Sequence, residues 1–277
     1  MAAKEIWIVG DGQHAHFVAP LAWLIEHAIC SSFATATSAV TAFHESGKAS
    51  DPAAVLLVQS RPGQISSRHV ERLYAHMPLT RFVGLAGPWC EGEGRTGRPW
   101  PGVVRVPWRD WRWRLPRELD LSAAEQSTGV RLPRIATEAD RLQQSMANLT
   151  GLRFVGNVEL ITTSRVTYGA WQPALQLLGV RAFCPSHRIA AESQADLQII
   201  DGWDNVAMAA ESADSASAST APPRILLLHF PRPDDVTRAA SLGIAAVLAQ
   251  PMLLTDLAAA LDGLVGRASS SACQPAA

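Results

Sequence analysis

The sequence has few charged residues for its length and no excess of either sign. Asp, Glu, Lys and Arg make up 18% of the 277 residues, and the formal net charge is -1. Such a chain has no global field that would attract nucleic acid or an anionic membrane surface, so we expect neither as a partner. The 48% of hydrophobic residues predicts a globular protein with a substantial core.

Long apolar runs and export signals are also missing. No uninterrupted apolar stretch approaches the roughly 20 residues that a membrane-spanning helix needs. The N-terminal MAAKEIWIVGDG enters a strand-like run at once, without the basic region and apolar segment of a signal peptide. We therefore expect a cytoplasmic protein.

Cysteine is scarce and unpaired in sequence. The four cysteines are Cys30, Cys90, Cys184 and Cys273. They form no CxxC pair, which argues against a zinc knuckle or a disulfide framework. Two acidic residues follow Cys90 in PWCEGEG and would raise its pKa, so we expect an inert thiol rather than a nucleophile. His14 and His16 have no third ligand nearby, so we expect no metal site.

Short apolar runs of strand length alternate with amphipathic segments of helix length, and the series occurs twice. The first series is Glu5 to Val9, Phe17 to Ile29, Ala54 to Val58, His69 to His76, Arg81 to Leu85 and Val103 to Val106. The second is Val158 to Thr162, Trp171 to Leu178, Arg181 to Cys184, Leu197 to Ile200, Arg224 to His229, Ala245 to Leu248 and Leu254 to Leu264. This alternation predicts an α/β protein with parallel sheets and two units of one plan.

Composition predicts two domains, 1–120 and 153–267. Residues 121–152 between them are polar and contain a helical periodicity that Thr137 could cap, with Asp140 in the first turn, so we expect a helical connector. Residues 207–223 are small and polar and end in two prolines, which predicts a flexible insert. Residues 268–277 are predicted to be a disordered tail.

Four segments of the second domain resemble the receiver domain of bacterial response regulators. They are VELITTSRVTYGAWQPALQLLG (158–179), DLQIIDG (196–202), ILLLHF (225–230) and LGIAAVLAQPMLLTDLAAALDGL (242–264). The last is the most specific, because Gly243 stands eight residues ahead of Pro251 as in the family.

The first domain resembles the same plan more faintly. The segments are IWIVGDG (6–12), AVLLVQSRPG (54–63), RFVGLAG (81–87) and VVRVP (103–107), with Pro107 in the family's proline position. The resemblance implies two flavodoxin-like (receiver-like) domains, each a parallel sheet of about five strands with helices on both faces.

The resemblance places Asp201 at the phosphoacceptor position, but the groups around it are changed. The acidic pair that would hold Mg2+ is Thr162 and Thr163, the lysine is Gln250 before Pro251, and the switch hydroxyl falls at Leu228 or His229. In the first domain the acceptor falls at Gln59 or Ser60, the lysine at Val106 and the switch hydroxyl near Ala86, while Asp11 keeps one of the acidic pair. Without the metal, nothing neutralises the charge that builds up in phosphoryl transfer. The resemblance therefore implies tandem degenerate, or pseudo-, receivers that need no cofactor.

A glycine-rich turn offers an alternative. GDGQHA at 10–15 follows a strand and opens a helix in the form of a dinucleotide-binding turn, built on Gly10, Asp11 and Gly12. No Asp or Glu ends the second strand in FATATSAVTAF, where one would hold a ribose. A nucleotide or small-molecule sensor that uses this turn or the C-terminal edge of a sheet remains an alternative.

Residues 95–117 hold seven arginines and four tryptophans, an unusual composition. Both residue types suit a protein interface, or stacking on bases. The alternative is that the tryptophans pack inward between the domains, with arginine stems covering them and pairing with Asp110 and Glu118. In receiver geometry this stretch covers a face that receivers commonly use to dimerise or meet partners. The candidate interaction residues are Trp108, Arg109, Trp111, Arg112 and Trp113.

We therefore expect a non-enzymatic signalling protein that binds a partner protein or itself. The alternatives are the small-molecule or nucleotide sensor and a phosphorylatable response regulator that uses Asp201 despite its lost partners.

Overall fold

The structure, a computed structural model of the chain, describes residues 4–45, 51–93, 100–121, 136–147, 149, 156–184, 195–214 and 221–271. The chain divides into two compact units, Met1–Arg141 and Leu142–Ala277. Each unit is built around its own five-stranded parallel sheet.

Strands and helices alternate along the first unit. The strands are β1 (Glu5–Gly10), β2 (Ile29–Phe33), β3 (Ala54–Gln59), β4 (Arg81–Ala86) and β5 (Val104–Pro107). The helices are α1 (Val18–His27), α2 (Ala36–Glu45), α3 (Ser67–His76) and α4 (Trp111–Glu118). Short 3-10 turns occur at Ala15–Phe17 and Pro88–Cys90.

The second unit repeats the alternation after helix α5 (Glu138–Ala147). Its strands are β6 (Asn157–Ile161), β7 (Arg181–Phe183), β8 (Leu197–Asp201), β9 (Arg224–His229) and β10 (Ala246–Gln250). Its helices are α6 (Arg165–Leu177), α7 (Val206–Asp214), α8 (Pro233–Ser241) and α9 (Leu254–Ser271). Within the described ranges no helix has the length and apolar character to cross a membrane.

Both sheets have the flavodoxin-like strand order. The orders are β2-β1-β3-β4-β5 and β7-β6-β8-β9-β10, and neighbouring strands run parallel throughout. In each unit the first strand lies between the second and the third, which is the order of doubly wound flavodoxin-like sheets. The predicted fold class, two receiver-like α/β domains, is confirmed.

Helices cover both faces of the first sheet. All six residues of β3 are buried. On one face Leu57 shares a core cluster with Val40 of α2 and Leu73 of α3. The other face of β3 is buried too. We assign its cover to helices α1 and α4, whose Leu24 and Leu115 are fully buried. Strands buried on both faces form continuous apolar runs, which explains why β3 shows no alternating pattern.

The second sheet is covered in the same way. Ile200 and Leu226 share one core cluster with Ala209 of α7 and Ala239 of α8. Helices α6 and α9 carry fully buried leucines, among them Leu175.

The predicted second strand of the first unit, in FATATSAVTAF (33–43), was wrong. The strand β2 is Ile29–Phe33, and most of that stretch is the helix α2, which was not predicted. The strand β2 has the sequence ICSSF and is at most half-buried, because it lies at the edge of the sheet. The helix α2 contains Thr37, Val40 and Thr41, which are weak helix formers, and it buries Val40 and Phe43. Tertiary packing, rather than local propensity, stabilises these elements.

The structure corrects two predictions of disorder. Val206–Asp214 is helical, although 207–223 was predicted to be a flexible insert, because alanine favours helix and Ala209 is fully buried. Helix α9 continues to Ser271, into the predicted tail at 268–277. Residues 215–220 and 272–277 lie outside the described residues.

Helix α5 lies inside the predicted connector at 121–152 and begins with the predicted cap. The Thr137 hydroxyl accepts a hydrogen bond from the Asp140 N–H at 3.2 Å. Asp140 Oδ2 accepts from the Thr137 hydroxyl and from its N–H, and these bonds lower the pKa of Asp140. The reciprocal bonding is that of a capping box.

We predict that Gly10→Ala destabilises the first unit by more than about 2 kcal/mol, from a strained backbone together with a clash. Gly10 has a φ of 117°, and an added Cβ would lie 2.2 Å from the Val58 carbonyl oxygen. The matched control is Gly63→Ala, because Gly63 has a φ of 80° but no atom within 4 Å of an added Cβ. It should cost only about 1 to 2 kcal/mol. Urea unfolding measures both, and equal losses would show that the contact with Val58 is not the cause.

Candidate functional site

The carboxyl ends of the strands form one edge of each sheet, where ligands bind in open α/β folds. In the second unit the register pairs Asp201 with Leu227 and His229 with Gln250. Side chains alternate between the faces of a strand, so Asp201, His229 and Gln250 share one face at this edge. Leu228 belongs to the core cluster on the other face. Of the two predicted switch positions, His229 is therefore the one on the face of Asp201.

The Asp201 carboxylate has a neutral partner on the neighbouring strand. The hydroxyl of Thr162, just after β6, donates to Asp201 Oδ2 at 3.0 Å. The same hydroxyl oxygen accepts from the Ser164 N–H at 3.1 Å. Thr162 is buried and Thr163 beside it is exposed. At the position where a receiver holds its acidic pair, this chain thus offers one hydroxyl bonded to the acceptor aspartate.

Two polar atoms at this edge have no hydrogen-bond partner among the described residues. They are Gln250 Nε2 and Asn205 Oδ1, and both atoms are buried. The Asn205 amide nitrogen donates to the Asp201 carbonyl oxygen, which fixes the side chain beside β8. The Gln250–Pro251 peptide bond is cis. Asn205 was not predicted as a site residue, because the Asp201–Gly202 pair marks a turn but not which side chain returns to Asp201.

The first unit has the same kind of pair with the two groups exchanged. The Ser60 hydroxyl, after β3, donates to Asp11 Oδ2 at 2.7 Å, and Asp11 follows β1. In the second unit the acid ends the third strand of the sheet and the hydroxyl follows the first. Gln64 Oε1 accepts a hydrogen bond from the Ser60 N–H at 2.7 Å. Gln64 was not predicted as a site residue. Each edge therefore joins one carboxylate to one hydroxyl across adjacent strands.

Gln59, the other predicted acceptor position of the first unit, is buried and bonded elsewhere. Its amide donates to Glu93 Oε2 at 3.1 Å, and Glu93 also accepts from Arg105 at 2.7 Å. Ala86 and Val106, at the switch and lysine positions, are buried apolar residues. The Gln59 amide nitrogen is thus bonded within the unit, whereas its Oε1 is buried without a partner among the described residues.

Two N–H groups of the glycine turn are hydrogen-bonded within the first unit. The Asp11 N–H donates to the Val58 carbonyl at 3.0 Å, and the Gly12 N–H donates to the Gly10 carbonyl at 2.9 Å. A pyrophosphate needs such groups turned toward it, and the Asp11 carboxylate would repel it. The geometry argues against a dinucleotide at this turn.

The two histidines of the turn belong to its local packing. His14 Nδ1 accepts from the His16 N–H at 3.5 Å, and the His16 ring lies 5.1 Å from that of Trp108. Burial lowers the pKa of His16, and the neighbouring His14 lowers it further. Across the described ranges no group of three His, Cys, Asp or Glu side chains could hold a metal ion.

Cys90 is a buried thiol whose Sγ lies 3.6 Å from the Gln59 carbonyl oxygen. Burial raises its pKa, Glu93 raises it further, and Arg105 opposes this. A thiol that stays protonated is a poor nucleophile, as the sequence predicts for this residue.

Trp108 and Arg109 lie within the first unit and not on its surface, which corrects their prediction as interaction residues. Trp108 is buried, and its Nε1 donates to Glu91 Oε1 at 3.2 Å. The Arg109 guanidinium forms an ion pair with Glu91, and its side chain is only 8% exposed. Tryptophan packs best where its N–H finds an acceptor, and Glu91 supplies one here.

The rest of the predicted set starts helix α4. Trp111 is half-buried, with its ring 6.0 Å from that of Trp23, and Arg112 is exposed above it. Trp113 is half-buried as well. This part of the stretch is therefore at least partly exposed.

An ion-pair network fixes the end of α4. Arg81 of β4 donates to Glu118 Oε2. Burial raises the pKa of Glu118, but the guanidinium groups of Arg117, Arg81 and Arg114 outweigh it and hold the pKa below its usual range. A paired carboxylate of this kind stabilises the folded state above pH 4 to 5 and loses that contribution as the pH falls through its lowered pKa.

No protein-family model matches the chain, and no curated protein matches it. Among solved structures, a signal receiver domain of a signal transduction histidine kinase from Syntrophus aciditrophicus is 19% identical, with a TM-score of 0.35 over 44% of this chain and 99% of that one. A probable two-component system response regulator/GGDEF domain protein is 14% identical, with a TM-score of 0.36 over 96% of this chain and 99% of that one. A glyoxylate reductase from Paecilomyes thermophila is 11% identical, with a TM-score of 0.25 over 98% and 96%. With scores this low, the assignment of the fold rests on the strand order.

We predict that Thr162→Val destabilises the second unit by about 1 to 3 kcal/mol, because Asp201 loses a hydroxyl donor and the Ser164 N–H loses its acceptor. Thr163→Val is the matched control, since the adjacent side chain is exposed, and it should change stability by less than about 0.5 kcal/mol. Denaturant unfolding of the full chain measures both. Similar losses for the two variants would mean that the bond to Asp201 contributes nothing.

Proposed function

We propose that this chain is a non-enzymatic signalling protein whose two receiver-like units act by protein contact and without aspartyl phosphate. The carboxylate–hydroxyl pair at each sheet edge carries the proposal. Asp201 bonds to Thr162 and Asp11 bonds to Ser60 at the positions where a receiver gathers its metal-binding acids.

The chemistry of phosphorylation supports this proposal. Mg2+ is bound by several oxygen ligands, usually carboxylates among them, and it neutralises the charge that develops on the transferred phosphoryl group. Next to Asp201 stand Thr162 and Thr163, which are neutral, and Gln250 occupies the place of the lysine. A single carboxylate, with Gln250 in place of the lysine, supplies little of what the reaction needs.

The signalling role itself is supported by the four segments of the second unit that resemble receivers, together with the strand order shared by both units. A domain can lose its acidic cluster and keep its fold. Such a domain still has the outer surfaces that a partner protein could bind. Trp111 and Arg112 are candidates for such a contact, because Trp and Arg dominate binding energy in interfaces.

Incubation of the full chain with acetyl phosphate and Mg2+, followed by intact-mass measurement, tests the proposal. We expect no phosphoryl adduct on the wild type and none on Asp201→Asn. A phosphorylatable receiver domain in the same reaction serves as positive control. An adduct on the wild type that disappears in Asp201→Asn would establish the alternative, a functional response regulator.

A small polar ligand at the second edge is the second candidate, favoured by Asn205 Oδ1 and Gln250 Nε2. Buried polar atoms usually have a hydrogen-bond partner, and these two, which lie at one sheet edge, could bind an added polar molecule. A melting-temperature screen against nucleotides tests it, since a ligand specific for the native state must stabilise it. This candidate predicts that one compound raises the melting temperature and that Gln250→Ala abolishes the rise. If no compound changes the melting temperature, the candidate is excluded.

A further inference from the structure

We draw no further inference here: the strongest candidate, the pair of buried atoms Asn205 Oδ1 and Gln250 Nε2 that lack a hydrogen-bond partner among the described residues at the carboxyl edge of the second sheet, belongs to the site already described.

Discussion

The hydrogen bond between Thr162 and Asp201 depends on parallel pairing of the first and third strands of a sheet. In a parallel sheet all carboxyl ends meet at one edge, so the residue that follows β6 lies beside the one that ends β8. The same geometry in the first unit brings Ser60 to Asp11. The fold brings these groups together, and the side chains at those positions decide whether they bind a metal or each other.

Thr162 and Thr163 stand where a receiver has an acidic pair. The Asp201 carboxylate therefore accepts a hydrogen bond from the Thr162 hydroxyl instead of sharing a cation with neighbouring acids. The exchange of acid and hydroxyl between the two units is informative here. Each unit contains a carboxylate that accepts a hydrogen bond from a hydroxyl. The carboxylate follows the first strand in the first unit and ends the third strand in the second unit. This is the pattern expected when the requirement at an edge is only that its carboxylate be hydrogen-bonded.

The hydrogen-bonded sheet edges contrast with the surfaces of the outer helices. The core-facing residues of α1 and α6 follow from packing against the sheet, but packing does not explain exposed Ile25 and Val166. The arginine- and tryptophan-rich stretch contains both interior and exposed residues of the first unit. Trp108 stabilises the interior of the first unit through Glu91, while Arg112 remains exposed at the start of α4.

Strongly periodic or continuously apolar segments could be predicted from the sequence, and they include nine of the ten strands in the described residues. The strand β2 could not, because ICSSF lies at a sheet edge where burial is partial and its pattern is weak. The helix α7 was missed because its small residues, among them Ala209, suggest disorder until a core is present to bury them.

The sequence by itself determined the receiver-like plan and the absence of the acidic pair and the lysine around Asp201, because residue identity at a matched position requires no coordinates. Only the tertiary structure decided that His229 and not Leu228 shares the face of Asp201, that the side chains of Trp108 and Arg109 are buried, and that Ile25 and Val166 face solvent. These outcomes depend on register and on which side of each element meets the sheet. Both are set by pairing between residues far apart in the chain, which local patterns do not encode.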